Sequence, residues 1–234
     1  MDWILKIDYI PNMQNAVTSS LSLRDRGKVR RHAEIVAAAT KLWRERGFEN
    51  VALAEIAAAA EVSPQTVYNL IGGLDAICFA VIQQALEQLD AVLEDTSATG
   101  VEFALEAARI SADLYIADAR LYRQLLARVP RMLFQGTHLG RDVVQIVIQA
   151  VAEAQTANQV SPAVDPVRLG RAIYSAYLGA LYDWACGDSD NAGFREEAQI
   201  AVLAPLAACA TDAAKPALTA RLFDHLSSTG ERSR

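Results

Sequence analysis

Hydrophobic residues recur at helical spacing through most of this chain, and stretches that alternate Val, Ile or Thr with polar residues are lacking. A period near 3.6 residues indicates amphipathic helices rather than strands. The sequence is rich in Ala and Leu, which favour helices, and has only 7 Pro and 12 Gly in 234 residues. We therefore expect an all-α fold.

The most distinctive part of this pattern lies between residues 47 and 77. Leu53, Ile56 and Ala57 give one short helix an apolar face, which ends at Glu61. A second helix is predicted to begin directly afterwards, because Ser63 is a good N-cap residue and Pro64 suits the first helical position. Two short helices joined by a tight turn predict a helix-turn-helix.

The second of these helices leaves a polar face free when Val67 faces the core. Amide side chains pair bidentately with adenine, and small hydroxyl residues contact thymine methyl groups or phosphates. We therefore predict that Gln65 and Asn69 read adenine, with Thr66 on a thymine methyl or a phosphate. The alternative for Gln65 and Asn69 is an ordinary solvent-exposed position. The predicted DNA-contacting set is Arg30, Arg31, Ser63, Pro64, Gln65, Thr66, Tyr68 and Asn69.

Longer helical patterns flank the helix-turn-helix. One is expected at about 27–46, with Trp43 facing inward, and another from Leu74 to about 93. Further helices are expected at about 101–117, 119–129, 137–157, 165–186, 192–211 and 217–226, with Pro130 ending the second of these. The predicted domains are an N-terminal extension at 1–23, a three-helix DNA-binding domain at 24–73, and a larger helical domain at 74–234.

Charge is distributed unevenly along the chain. The net charge is −6, but residues 24–46 hold eight Lys or Arg against three acidic residues, so 8 − 3 gives +5. Residues 49–77 hold four acidic residues and no Lys or Arg, and adding this −4 leaves the whole head near +1. Phosphate contacts must therefore come from residues 24–46, with Arg30 and Arg31 as the candidates. The alternative is that these basic residues form a solvated face.

From Ile35 to Ile77 the chain resembles the DNA-binding domain of the tetracycline-repressor (TetR) family of bacterial regulators. The residues that carry the resemblance are Ile35-Val36, Ala38-Ala39, Leu42-Trp43, Gly47-Phe48, Ile56-Ala57, Val62-Ser63 and Thr66-Val67-Tyr68. It implies a homodimer on a palindromic DNA operator, a phosphate contact from Tyr68, and dimerisation through two long C-terminal helices. Glu61 departs from the family pattern, which usually has Gly there, and Leu70-Ile71-Gly72-Gly73-Leu74-Asp75 stands where the family often has a stretch that includes Lys.

The resemblance also implies a pocket for a small-molecule effector in the C-terminal domain. Aromatic side chains are the candidate lining, although plain core packing is the alternative for each of them. A lipophilic effector would suit such a pocket. The candidates are Phe79, Tyr115, Tyr122, Phe134 and Tyr177.

These features favour a ligand-responsive transcription regulator, a repressor that the effector releases from its operator. The alternative is a family member with a degenerate DNA-reading head, acting as a dimeric ligand-binding or protein-interaction module. Glu61, Leu74 and Asp75 support this alternative. An enzyme is not expected, because the three His residues lack a Glu-x-x-His partner and neither a phosphate-binding Gly-rich loop nor G-x-S-x-G occurs.

We expect no cofactor, metal or membrane partner. The three Cys residues are far apart and lack CxxC or His spacing, which argues against a disulfide framework or a zinc site. Asp2, Lys6 and Asp8 interrupt the first apolar run, unlike the layout of a signal peptide. The expected location is the cytoplasm.

Overall fold

A computed structural model of the protein describes residues 22–134 and 143–227, with the side chains of residues 132–134 outside the described part. The described residues form α-helices and a short 3₁₀ turn at Phe48–Asn50, so the predicted all-α fold is confirmed. A single isolated bridge pairs Val160 with Ala210 among them. The α-helices are α1 Leu23–Arg46, α2 Leu53–Ala59, α3 Pro64–Leu70, α4 Leu74–Glu94, α5 Gly100–Ala117, α6 Ala119–Leu126, α7 Val129–Phe134, α8 Val144–Thr156, α9 Pro166–Cys186, α10 Asn191–Ala208 and α11 Lys215–Ser227.

The first compact unit contains the described residues up to Val81. In it α1 packs on α2 and α3, and α2 packs on α3. α1 begins four residues before the predicted Gly27, because the Ser22 hydroxyl accepts a hydrogen bond from the Asp25 N–H at 3.2 Å and so caps the helix. Fully buried side chains from all three helices form its core: Ile35, Ala39, Trp43, Ile56, Ala57 and Val67.

The second compact unit contains the described residues from Ile82 onwards, so α4 belongs to both units. Within it α9 packs on α6, α8 and α10, while α10 packs on α5 and α11. Trp184 of α9 and Phe194 of α10 are fully buried and stack with ring centroids 5.0 Å apart. The inner side of α9 also buries Leu169 and Ile173.

The predicted end of a helix at Pro130 is wrong. α6 ends earlier, at Leu126, and Pro130 lies in the first turn of α7. Proline is tolerated there because the N–H it lacks would have no helical partner in a first turn. The predicted start of the next helix at 137 falls outside the described residues, and α8 begins at Val144.

Among the described helices, α4 alone has the length and apolar character that a membrane span would need. However, 56% of its most apolar window is buried inside the protein. The core helix of a soluble domain has the same composition, so this feature does not indicate a membrane protein.

Candidate nucleic-acid interface

The turn between α2 and α3 is closed by a Schellman motif. The Val62 N–H donates to the Ala57 carbonyl at 2.9 Å, and the Glu61 N–H donates to the Ala58 carbonyl at 3.2 Å. This pattern requires a left-handed residue between the two helices, and Glu61 takes it with φ of 54°. A residue with a Cβ is strained in this conformation, which glycine adopts freely.

α3 begins as its sequence predicts. The Ser63 hydroxyl accepts from the Thr66 N–H at 3.1 Å, and Pro64 occupies the first turn. The Ser63 and Thr66 hydroxyls also lie 2.8 Å apart and share a hydrogen bond. Because Val67 is fully buried against the rest of the unit, the orientation of this seven-residue helix is fixed by its cap and by one anchor.

The exposed side of α3 carries Gln65, Tyr68 and Asn69. Tyr68 is 64% exposed, which is unusual for a large aromatic side chain. One helical turn separates the two amides, and Gln65 Nε2 donates to Asn69 Oδ1 at 2.9 Å. Thr66 differs from these three residues, since it is only partly exposed and its hydroxyl is bonded at the cap. The structure thus places Gln65, Tyr68 and Asn69 on one exposed face, with Thr66 at its edge.

An open groove of about 650 Å³ lies between α1 and the helix-turn-helix turn. Arg30, Arg31 and Lys41 line one side of it, while Glu61 and Val62 line the other. Arg30 also lies 3.5 Å from Glu34 on its own helix, an exposed pair that contributes little to stability. The two arginines predicted to meet phosphate therefore lie on the same surface as the turn.

Arg46, the last residue of α1, has a structural role that was not predicted from the sequence. It donates to Glu55 Oε1 at 2.8 Å and to the Asn50 carbonyl at 2.8 Å. The other oxygen of Glu55 accepts from the Ala52 N–H at 2.8 Å, at the start of α2. These bonds, the Ala52 N–H first and Arg46 second, lower the pKa of Glu55. A Glu three residues after an N-cap was the available sequence signal.

The aromatic residues predicted to line an effector pocket are distributed over both units. Tyr115 and Tyr122 meet edge to face with ring centroids 5.2 Å apart, and the Tyr177 hydroxyl lies 2.6 Å from that of Ser111. Burial, reinforced by neighbouring tyrosines, raises the pKa of Tyr115, which stays a neutral phenol. Phe79 is buried in the first unit, and the side chain of Phe134 lies outside the described residues.

No group of three or more His, Cys, Asp or Glu suited to a metal ion occurs within residues 22–134 and 143–227. What the first unit presents instead is a short capped helix with an uncharged polar face, beside a basic helix. Groups of this kind bind base edges and phosphates.

The helix-turn-helix was compared with known protein families. Residues 35–70 match the family model described as bacterial regulatory proteins, tetR family. The chain carries the DNA-binding domain of the TetR family. The family is one of bacterial regulatory proteins, so the match favours a regulator over an enzyme. The matched segment contains the Schellman turn and all of α3.

Solved structures of TetR-family proteins share this fold. SmeT, the repressor of the Stenotrophomonas maltophilia multidrug efflux pump SmeDEF, is similar at 20% identity over 78% of this chain and 92% of SmeT, with a TM-score of 0.58. A SmeT–triclosan complex is similar at 20% identity over 79% of this chain and 94% of that one, with a TM-score of 0.57.

FadR of Thermus thermophilus, a TetR-family transcriptional repressor in complex with lauroyl-CoA, is similar at 21% identity over 74% of this chain and 93% of FadR, with a TM-score of 0.60. Identities this low establish the fold alone. No curated protein sequence matches the chain.

Proposed function

We propose that this TetR-type protein binds a palindromic operator as a homodimer, acts as a repressor there, and is released by a small lipophilic effector. The observation that carries the proposal is the exposed, uncharged polar face of α3, fixed by the Ser63 cap and the Val67 anchor. The side chains of Gln65, Tyr68 and Asn69 on this face are exposed and lie outside the core of the unit. The face matches the donor and acceptor groups that bases present in a major groove.

In the proposed complex, contacts divide between bases and phosphates. Gln65 and Asn69 approach base edges, and Thr66 contacts a thymine methyl or a phosphate. The Tyr68 hydroxyl binds a phosphate, as do Arg30 and Arg31. Ser63 and Pro64 place the start of α3 against the DNA. A two-fold dimer would set its two α3 helices about 34–36 Å apart, in successive major grooves.

The proposed dimer interface lies on the exposed side of α9. Small side chains recur there with helical spacing and stay exposed in the single chain: Ala172, Ser175, Ala176 and Gly179. A Cβ added at Gly179 would meet no atom within 4 Å, so this part of α9 has open space in front of it. Small residues let a second helix approach closely, which supports a partner's α9–α10 pair as the occupant.

The proposed effector is lipophilic for two reasons. Triclosan and lauroyl-CoA, bound by SmeT and by FadR, both carry large apolar groups. In this chain, tyrosines and a buried Ser111 hydroxyl from α5, α6 and α9 combine apolar rings with a few polar atoms. We propose Tyr115, Tyr122 and Tyr177 as effector contacts, together with Phe79 and Phe134. Because the proposed partner is a DNA operator, the proposed location is the cytoplasm.

The test begins with a selection of genomic DNA fragments by the purified full-length protein. Retained fragments should share a palindrome, and fluorescence anisotropy should give binding of one dimer per palindrome. Small apolar compounds are then screened for release of the labelled operator. Failure to retain any fragment above a non-specific background would favour the alternative, a dimeric module whose reading head has degenerated.

Two substitutions test the division of contacts. Tyr68→Phe should weaken binding by a similar factor on all sequences, because it removes one phosphate contact. Asn69→Ala should instead relax the preference at one base pair. An equal loss of preference in both variants would contradict the assignment.

A further inference from the structure

The two amides on the exposed face of α3 are joined to each other. Gln65 Nε2 donates to Asn69 Oδ1 at 2.9 Å, across one helical turn. Neither side chain is buried, so no core packing holds them in this arrangement. The bond therefore gives two otherwise mobile side chains a shared orientation on the face that the proposed function assigns to DNA.

We propose that Gln65 and Asn69 read DNA as one unit, in which Asn69 binds an adenine and Gln65 is a positioning residue that fixes the Asn69 amide. This inference rests on the proposed function. It differs from a reading in which each amide contacts its own base independently.

The chemistry of the bonded pair suits this division. Adenine presents N7 as an acceptor and the N6 amino group as a donor, so its reader needs one donor and one acceptor. While Asn69 Oδ1 accepts from Gln65, it keeps a second lone pair, and both Nδ2 hydrogens remain available. Asn69 therefore binds adenine bidentately without breaking its bond to Gln65.

The geometry limits where the pair can read. Successive base pairs are about 3.4 Å apart along the duplex. Two amides held at 2.9 Å reach the same base pair or two adjacent ones, not positions separated by an intervening pair. Holding the Asn69 amide before DNA arrives also reduces the side-chain freedom that is lost on binding.

The experiment uses the full-length protein and the operator from the fragment selection. Affinities are measured for the four bases at the position that Asn69→Ala identifies, and the ratio of adenine to the next-best base is scored. This ratio cancels changes in affinity that are uniform over sequences. The variants are Gln65→Met, which keeps length but removes the donor, Gln65→Lys, which restores a donor, and the double variant Gln65→Met/Asn69→Ala.

A bidentate contact discriminates by about 1–3 kcal/mol, or roughly 5–150-fold. We expect Gln65→Met to lower the ratio at the Asn69 position at least fivefold, Gln65→Lys to recover most of it, and the double variant to be no worse there than Asn69→Ala. Circular dichroism checks that α3 and the unit stay folded. Tyr68→Phe is the control, because it should lower affinity and leave the ratio unchanged.

Three results would overturn the inference while leaving the proposed function intact. In the first, Gln65→Met leaves the ratio of adenine to the next-best base at the Asn69 position unchanged. The second is a loss of preference at a different, non-adjacent position, with additive effects in the double variant. The third is a Gln65→Lys variant that behaves like Gln65→Met. If the wild-type protein retains no operator at all, the proposed function itself fails.

Discussion

Replacing Glu61 with Gly is expected to stabilise the first compact unit. Glu61 is the left-handed residue of the Schellman motif that ends α2, with φ of 54°. Its own N–H and that of Val62 are bonded back to Ala58 and Ala57, at 3.2 and 2.9 Å. Glu61 cannot leave this conformation without breaking both bonds and moving α3. Its backbone therefore stays in the strained left-handed region.

The magnitude follows from two opposing effects. A left-handed conformation costs an L-residue roughly 1–2 kcal/mol, because its Cβ crowds the following carbonyl oxygen. Glycine escapes this cost but loses more chain freedom on folding, which offsets about 0.5–1 kcal/mol. The net gain for Glu61→Gly is about 0.5–1 kcal/mol, which corresponds to a rise in Tm of about 2–8 °C for a unit this small.

The measurement needs a probe that reports on the first unit alone. The chain has 3 Trp residues, of which Trp43 is fully buried in the first unit and Trp184 in the second. In a Trp3→Phe/Trp184→Phe background, Trp43 fluorescence follows unfolding of the first unit in urea. Glu61→Gly should move the midpoint upward and leave the slope with denaturant unchanged.

Matched variants separate backbone strain from charge. Glu61→Gln and Glu61→Ala remove the carboxylate and keep the strained backbone, so each should change stability by less than about 0.5 kcal/mol. Asn158 occupies the same position of a Schellman motif after α8, with φ of 55°, and asparagine tolerates this region. Asn158→Gly should therefore gain less. The strain argument is refuted if Glu61→Gln stabilises as much as Glu61→Gly.

Further predictions concern pH, assembly, core polarity and salt. Because the folded-state pKa of Glu55 lies below its ordinary 4.5, the stability that it contributes is present above that pH and lost as the pH falls through the lowered pKa. The difference between Glu55→Gln and wild type, measured by urea unfolding, should thus shrink on acidification. Gly179→Arg should give monomers in light scattering with the fold intact, whereas Gly179→Ala stays dimeric; a dimeric Gly179→Arg would exclude this face.

Ser111→Ala and Tyr177→Phe should each cost about 1–2 kcal/mol in urea unfolding and the double variant less than their sum, because each single change leaves a buried hydroxyl without its partner. Additive costs would show that the 2.6 Å contact is not a stabilising hydrogen bond. Operator affinity should be modest and fall steeply with salt concentration, because the whole head carries a net charge of only about +1 and its phosphate contacts come from residues 24–46. Tight binding that depends only weakly on salt concentration would contradict this expectation.

The features that the sequence predicted correctly depend on local interactions. Apolar spacing and the Ser63-Pro64 pair are enough to define α2 and α3, because caps and helix faces involve residues within a turn or two of one another. Contacts between distant residues were beyond such reasoning. The Ser111–Tyr177 bond joins positions 66 apart, and the Arg46–Glu55 pair spans a turn whose path the sequence did not reveal.

The Gln65–Asn69 bond is an instructive intermediate case. Its i, i+4 spacing allows the contact on any helix, but the same spacing also allows two independent amides. Only the side-chain positions distinguish these arrangements. The exposed polar residues of α3 were therefore predictable as a set, while the hydrogen bond between two of them was not.

The structure also changes the weight of the acidic residues in the reading head. The four acids in residues 49–77 were the argument for modest DNA affinity, and Glu61 and Asp75 among them supported a degenerate module. Glu55, however, is held by Arg46 at 2.8 Å, and Glu61 lies in a groove with Arg30, Arg31 and Lys41. The Arg46 guanidinium offsets the charge of Glu55 locally, while Glu61 shares its groove with three cations of α1. The exposed α3 face itself contains no acidic residue, which favours a working reader that takes its base preference from amides and its phosphate attraction from α1.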